Sequence, residues 1–295
     1  MDFQMSFRVV IVFSMLTDLT QQFGTDKPAL ENQTKFIFYD KNNRETTNTK
    51  CYETKQYSMI VPGYTENCDT FWVKELRMNL LEHRSGCIIC MDYSNYNNDY
   101  PFLLRHFKMV AKILTDQLIN LRGKGFRATD SYYFGFSYGA RLLVRAGNDF
   151  GAKTLGILHL CDAAGPGFDR RSNANPRTAA QYSQCIHTNS KSHGTEERNC
   201  DQNWILGHCG QEQPAAGPRP LGSHGLCPVI YNYSFKYKFM AIEKAKTCSE
   251  PANSRDLSVL PSDGIRMGYF QKLYNSTLLN GINLYAITKK SPPYC

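Results

Sequence analysis

The sequence predicts an α/β fold, a mostly parallel central sheet with helices on both faces, and three observations carry that expectation. Strand-like and helix-like segments alternate from Lys35 onward, the order that right-handed crossovers build into a parallel sheet. Cys87-Ile88-Ile89-Cys90-Met91 is a continuous apolar run, as in strands buried on both faces. A chain of 295 residues that is 42% hydrophobic and 20% charged can bury a large core and lacks the bias of a disordered chain.

The elements follow in order. Phe36 to Tyr39 reads as a strand, closed by the polar turn Asp40-Lys41-Asn42-Asn43, and Tyr57 to Val61 as another, ending at Pro62-Gly63. Phe71 to His83 places Phe71, Val73, Leu76, Leu80 and Leu81 at helical spacing, and Leu103 to Leu121 is a longer helix of the same kind. Ser131 to Phe134 returns to strand, a helix begins near Tyr138 and continues through Arg141-Leu142-Leu143-Val144, and Leu155 to Leu160 is a further strand. From Ala163 to Leu226 the chain is rich in Gly, Pro, Ser, Asn and His and loses its periodicity, the profile of functional loops. Ile230 to Ile242 resumes an aromatic, helix-like pattern.

At the amino terminus Arg8 precedes an apolar run from Val9 to Leu16. We read residues 1–22 as a signal peptide, with a first core strand as the alternative. The run is too short to span a bilayer, so no transmembrane segment is expected. Residues 23–295 then form a single domain.

The net charge of +8 is spread along the chain, with short pairs at Arg170-Arg171 and Lys289-Lys290. No nucleic-acid motif accompanies it, which argues against a nucleic-acid partner. A basic surface favours anionic interfaces such as phospholipid headgroups. Eleven cysteines point to several disulfides and an oxidising compartment. Cys161, in an apolar strand, is the expected free thiol. Three glycosylation sequons, at Asn32, Asn232 and Asn275, point the same way. The Cys/His-rich stretch from Cys185 to Cys227 matches no regular zinc spacing. Cys87 and Cys90 stand three apart in a strand, so they face opposite sides and make a poor redox pair. No metal or cofactor is expected.

The stretch with most chemistry is Gly135-Phe136-Ser137-Tyr138-Gly139. G-x-S-x-G between a strand and a helix is a tight turn that exposes a serine hydroxyl at the sheet's edge, with glycine removing collisions at its flanks. The following helix aims its first amides at charge that develops beside the serine. A serine nucleophile in this setting needs an acid and then a histidine, in that chain order. Asp162 ends the next strand, Leu155 to Cys161, 25 residues after Ser137. His187, His193, His208 and His224 all come later, and order alone leaves His224 and His208 as equals. His224 has the more mobile setting, Gly222-Ser223-His224-Gly225, with Cys227 able to pin it.

These residues make the chain resemble the pancreatic lipase family of secreted animal lipases, which share the α/β-hydrolase fold. Met59-Ile60-Val61-Pro62-Gly63-Tyr64-Thr65 is similar to the family's strand entering H-G-[FY], with Pro62 in place of histidine. Trp72-Val73-Lys74, Cys90-Met91-Asp92-Tyr93-Ser94, Asp162-Ala163-Ala164-Gly165-Pro166 and Ile186-His187-Thr188-Asn189 resemble further family segments. The last would place His187 in a structural loop. The histidine motif is only partly present, because the usual upstream cysteine is missing and Cys227 follows instead.

The resemblance covers Lys35 to Ile242. It implies a secreted lipase or phospholipase A1-like esterase acting on lipid esters at a membrane or lipid-droplet interface. Ser137 would be the nucleophile, His224 the base and Asp162 its orienting acid. The backbone N–H groups of Tyr64 and Tyr138 would form the oxyanion hole. Asn175-Pro176-Arg177-Thr178 lacks the acids that bind calcium in relatives. The segment between Cys209 and His224 is short for a lid, and there is no room for the family's C-terminal β-sandwich. A silent lipid-binding or yolk-type relative is the competing expectation.

Overall fold

The structure is a computed structural model and describes residues 27, 29–47, 55–169, 174–249, 255–256, 264–271 and 281–295. The proposed signal peptide at residues 1–22 and the sequon at Asn275 lie outside them.

Among the described residues, ten strands form one sheet in the order β2-β1-β4-β3-β5-β6-β7-β8-β10-β9. They are β1 (Lys35–Tyr39), β2 (Glu45–Thr46), β3 (Tyr57–Val61), β4 (Cys87–Asp92), β5 (Tyr132–Phe136), β6 (Leu155–Cys161), β7 (Ala180–His187), β8 (Gln202–Leu206), β9 (Arg255–Asp256) and β10 (Ile282–Ala286). The pairs β4/β3, β3/β5, β5/β6, β6/β7, β7/β8, β8/β10 and β10/β9 are parallel. Only β1 runs against its neighbours β2 and β4. The expected mostly parallel α/β sheet is therefore what the chain forms.

Both faces of the sheet are covered. Side chains alternate along each central strand, so Tyr57, Met59 and Val61 of β3 join one apolar cluster while Ile60 joins the other. The first cluster is roofed by α2 (Tyr100–Gly123) and α3 (Tyr138–Phe150). The second is roofed by α1 (Phe71–His83) and, beyond the four-residue α4 (Pro176–Ala179), by α5 (Leu226–Tyr233). α2 is well punctuated at its start: the Asp99 carboxylate accepts the Phe102 N–H and Pro101 occupies the first turn. The helices α1, α2 and α3 each carry the chain back from the end of one strand to the start of the next, so the carboxyl ends of the parallel strands β3, β5 and β6 lie along one edge.

Several expectations need correction. The stretch from Ala163 to Leu226 holds two buried strands, β7 and β8, where periodicity indicated only loops. Their polar side chains hid them: Ser183 bonds to Asp201 through its N–H and its hydroxyl, Gln184 pairs with Gln271, and Asn203 donates to the carbonyls of Cys200 and Ile282. Satisfied internally, such residues tolerate burial that an apolar count would not forecast. The helix expected over Ile230 to Ile242 ends at Tyr233, where Ser234 Oγ donates to the Tyr231 carbonyl; Ala241 and Ile242 then pair with Ile265 and Tyr285.

Cys161 is not free. It is joined to Cys227, alongside the bridges Cys68–Cys90, Cys185–Cys200 and Cys209–Cys248. Cys161 projects into the same apolar cluster as Cys227 at the start of α5, which brings the two sulfurs together. Among the described residues the free cysteine is Cys295. The sequon at Asn232 cannot report glycosylation of the folded chain. Its amide is buried, donating to the Trp72 carbonyl at 2.9 Å and accepting from Asn79 at 3.2 Å. Asn32 is exposed. No helix among the described residues is long and apolar enough to cross a membrane.

Candidate active site

The turn between β5 and α3 is built by its glycines. A Cβ on Gly135 would stand 2.7 Å from the Ala140 Cα, and one on Gly139 only 2.2 Å from the Val61 carbonyl oxygen. Glycine at both positions lets the first turn of α3 settle onto β5 and β3. Ser137 is held between them at φ 53°, a left-handed conformation that costs a non-glycine residue about 1–3 kcal/mol. The strain is locked in place: the Ser137 N–H donates to the Cys161 carbonyl at 3.0 Å, and its own carbonyl accepts from Ala164 and Ala140, each at 3.1 Å.

Asp162 follows β6 directly and is also left-handed, at φ 41°. Its N–H donates to the Ile186 carbonyl at 2.7 Å. The carboxylate is fully buried, and Oδ1 accepts the backbone N–H groups of Thr188 at 3.0 Å and Asn189 at 3.1 Å. Gly194 closes the site from above, since a Cβ there would lie 2.4 Å from Oδ1. Oδ2 is left to accept from His224 Nδ1 at 2.5 Å.

His224 comes from the turn before α5, and the Cys161–Cys227 bridge ties the start of that helix to the end of β6. Its Nε2 is 2.8 Å from Ser137 Oγ. The three residues singled out in the sequence therefore form one continuous hydrogen-bonded chain. With its Nδ1 proton directed at Asp162, the imidazole presents a basic Nε2 to the serine hydroxyl and can take its proton.

The rival histidines separate by position. His208 is exposed and its backbone bridges to Glu212. His187 ends β7 rather than lying in a loop. It is buried with Nδ1 at 3.3 Å from the Thr195 carbonyl, and burial holds its pKa well below the usual value.

The backbone N–H groups of Tyr64 and Tyr138 take no hydrogen-bond partner among the described residues, so both stay available to an incoming oxygen. Their side chains serve elsewhere: the Tyr64 hydroxyl donates to the Asn98 carbonyl and the Tyr138 hydroxyl to that of Leu103.

Sequence reasoning missed Glu66. Its carboxylate accepts the Gly63 N–H and the Trp72 indole N–H, each at 2.8 Å, and so fixes the loop that carries Tyr64. Burial raises its pKa, while the bonds from Trp72 and Gly63 and the nearby His224 pull it back. Glu66 follows Gly63 by three residues in a polar turn, and nothing in that spacing announces burial. Sequence reasoning counted His193 among the histidines that could serve as base by order and gave it no other role; its ring stacks on His224. A 410 Å³ cavity lies beside the turn that carries His193, lined by Pro166, Asp169, Lys191, Ser192, Gly194 and Glu196; none of Ser137, Asp162 or His224 lines it.

The family model described as Lipase matches residues 16–209. His224 lies beyond that match, so its assignment stands on geometry. Comparison with curated proteins returns no match. Among solved structures, the chain is similar to one described as a predicted CIB-like hydrolase from Thermoplasma acidophilum, at 14% identity and TM-score 0.36 over 52% of this chain and 73% of that one. A second, described as m3DLH, is 13% identical at TM-score 0.29, over 55% of this chain and 72% of the other.

Proposed function

Because the chain belongs to the lipase family, we propose that it is a secreted serine esterase that cleaves carboxylic ester bonds of lipids, neutral glycerides or the sn-1 ester of phospholipids. The observation that carries the reading is the unbroken chain from Asp162 Oδ2 through His224 to Ser137 Oγ, at 2.5 and 2.8 Å.

The chemistry follows from that chain. Ser137 Oγ attacks the ester carbonyl carbon while His224 Nε2 takes the hydroxyl proton, and the carbonyl oxygen becomes an oxyanion received by the N–H groups of Tyr64 and Tyr138. As the tetrahedral intermediate collapses, the imidazolium returns the proton to the leaving alcohol and an acyl-Ser137 ester remains. Water, deprotonated by the same imidazole, releases the fatty acid. Asp162 keeps its charge throughout, holding the proton on Nδ1 and stabilising the imidazolium. The left-handed backbone at Ser137 supports this role, since strain of that kind is characteristic of serines displayed on such elbows.

Secretion is supported by the four bridges of the described residues, which persist in oxidising compartments. The excess of positive charge fits an anionic lipid interface as the place of action. Residues 23–295 as a single hydrolase domain accords with one sheet whose strands run from Lys35 to Ala286.

Labelling with a fluorophosphonate tests the reading. Wild type should be modified at Ser137 and the Ser137→Ala variant should not. An unlabelled wild type would instead identify a silent, lipid-binding relative. Hydrolysis of triglyceride, phosphatidylcholine and galactolipid, measured side by side, then assigns the substrate.

A further inference from the structure

His224 is held in its plane by Asp162 and Ser137, but those two bonds leave the ring free to tilt. Two rings restrict it: Phe136, with centroids 4.8 Å apart, and His193, at 5.5 Å and stacked within 28° of parallel. Phe136 belongs to the elbow. His193 belongs to the 189–194 turn, which is organised around the Asp162 carboxylate. Asn189 donates its N–H to Asp162 and its side-chain oxygen accepts the His193 N–H at 3.1 Å. Gly194 packs on the same carboxylate. The turn that positions the acid therefore also positions a second imidazole on the first.

His193 is fixed at both ring nitrogens. Nδ1 lies 3.0 Å from Ser192 Oγ and 3.2 Å from Asn189 Oδ1. Nε2 accepts from Arg219 Nη2 at 2.8 Å. Arg219 stands in the exposed segment that leads into His224, so this bond ties that segment to the stacked ring.

We propose that His193 is a positioning residue: it holds the His224 imidazole in register with Ser137 and, through Arg219, clamps the loop that delivers His224. The inference rests on the Ser137-Asp162-His224 reading. Because a guanidinium can only donate, His193 Nε2 must be the acceptor and the ring is neutral, with its proton on Nδ1. Partial desolvation lowers its pKa, and His224 and Arg219 push the same way against the pull of Asp162. A neutral ring is what the site requires, because its neighbour becomes a cation in every turnover.

The test compares His193→Ala, His193→Gln, His193→Phe and Arg219→Gln in the full chain, reading the rate of Ser137 labelling by a fluorophosphonate and kcat and KM on a soluble short-chain ester. His193→Ala and His193→Gln should lower kcat and the labelling rate about tenfold, the scale of one lost ring contact, with KM within about twofold. His193→Phe restores the stack and should recover most of the rate. Arg219→Gln should fall between wild type and His193→Ala. Thermal unfolding of each variant separates misfolding from mispositioning, and the Gln variant, which keeps much of the side chain's bulk and polarity, keeps the comparison usable if Ala is unstable. Wild-type labelling rates in both the Ala and Gln variants, or a Phe variant as slow as Ala, would overturn the proposal. A wild type that neither labels nor turns over ester sinks the underlying hydrolase reading with it.

Discussion

Ser137 stands where the buried strand Tyr132–Phe136 meets the helix Tyr138–Phe150, whereas His224 stands on a turn between an exposed segment and the short helix Leu226–Tyr233. The first setting is local. Two glycines, a strand and a helix adjacent in the chain fix the serine, and a Cβ on either glycine would collide with backbone. The second is assembled from far apart: a bridge spanning 66 residues, two amides from the 188–189 turn on Asp162, and a stacked imidazole from His193. A nucleophile can be written into nine consecutive residues. The base we propose for it has to be brought to it, and the molecule does this with long-range links of several kinds.

The sharpest way to break the comparison is to remove the link shared by both settings. Asp162→Asn keeps the shape of the side chain but can favour the wrong His224 tautomer, with the proton on Nε2. We expect kcat to fall about 10,000-fold with the fold intact. A variant within tenfold of wild type would mean that His224 is oriented by something other than this carboxylate.

The two settings also differ in how dry they are, and acid should expose that. His159, behind the elbow on β6, is wholly buried with Nδ1 at 2.6 Å from the Tyr231 hydroxyl. Burial, helped by the Arg84 cation, lowers its pKa to about 3. The unfolded chain binds this proton near the ordinary value of 6.5 and the folded chain does not. Folded stability is therefore complete at neutral pH and declines as pH falls from about 6.5 toward 3, by on the order of a few kcal/mol from this residue. Burial of His187 acts in the same direction. Urea unfolding at pH 7 and pH 4 should show the decline, and His159→Gln should flatten it; an equally steep decline in the variant would assign it to other groups.

The covalent link comes next. Replacing Cys161 and Cys227 together by Ala should cost about 2–4 kcal/mol of stability. It should also lower activity more than a distant bridge would, because it frees the start of α5 from the strand that carries Asp162. Removing Cys185–Cys200 gives the control. Equal losses of activity from the two pairs would show that the Cys161–Cys227 link has no special part in delivering His224.

What could be read from the sequence divides along the same line. The elbow, β3 to β6 and the helices at Phe71–His83 and Tyr100–Gly123 were legible because each carries an apolar period of its own. β7 and β8 were not, since Ser183, Gln184, Gln202 and Asn203 are buried through partners that no local pattern reveals. Cys161 looked like a free thiol because it sits in an apolar strand, and nothing local reveals its partner 66 residues away. Ser137 and Asp162 could be located by order and strand position. His224 could not be told from His208 on those grounds; the fold brings one beside the serine and leaves the other exposed. Glu66 left no trace at all, because what makes it matter is burial.

Glu66 offers the smallest effect and the finest discrimination, because its hydrogen bonds fix the loop that carries Tyr64. As a carboxylate it accepts from both the Gly63 N–H and the Trp72 indole. A glutamine has one accepting oxygen, so one of those buried donors must face its NH2 group and go unpaired, a cost of about 1–3 kcal/mol. If that cost is relieved by a shift of the Gly63-Tyr64 backbone, the Tyr64 N–H no longer meets the oxyanion. Glu66→Gln should then reduce kcat about fivefold to tenfold with KM nearly unchanged, the pattern of an interaction made only in the transition state. Labelling by a fluorophosphonate, whose phosphoryl oxygen occupies the same hole, should slow in parallel. A variant that loses stability yet keeps wild-type kcat would assign Glu66 to the fold alone.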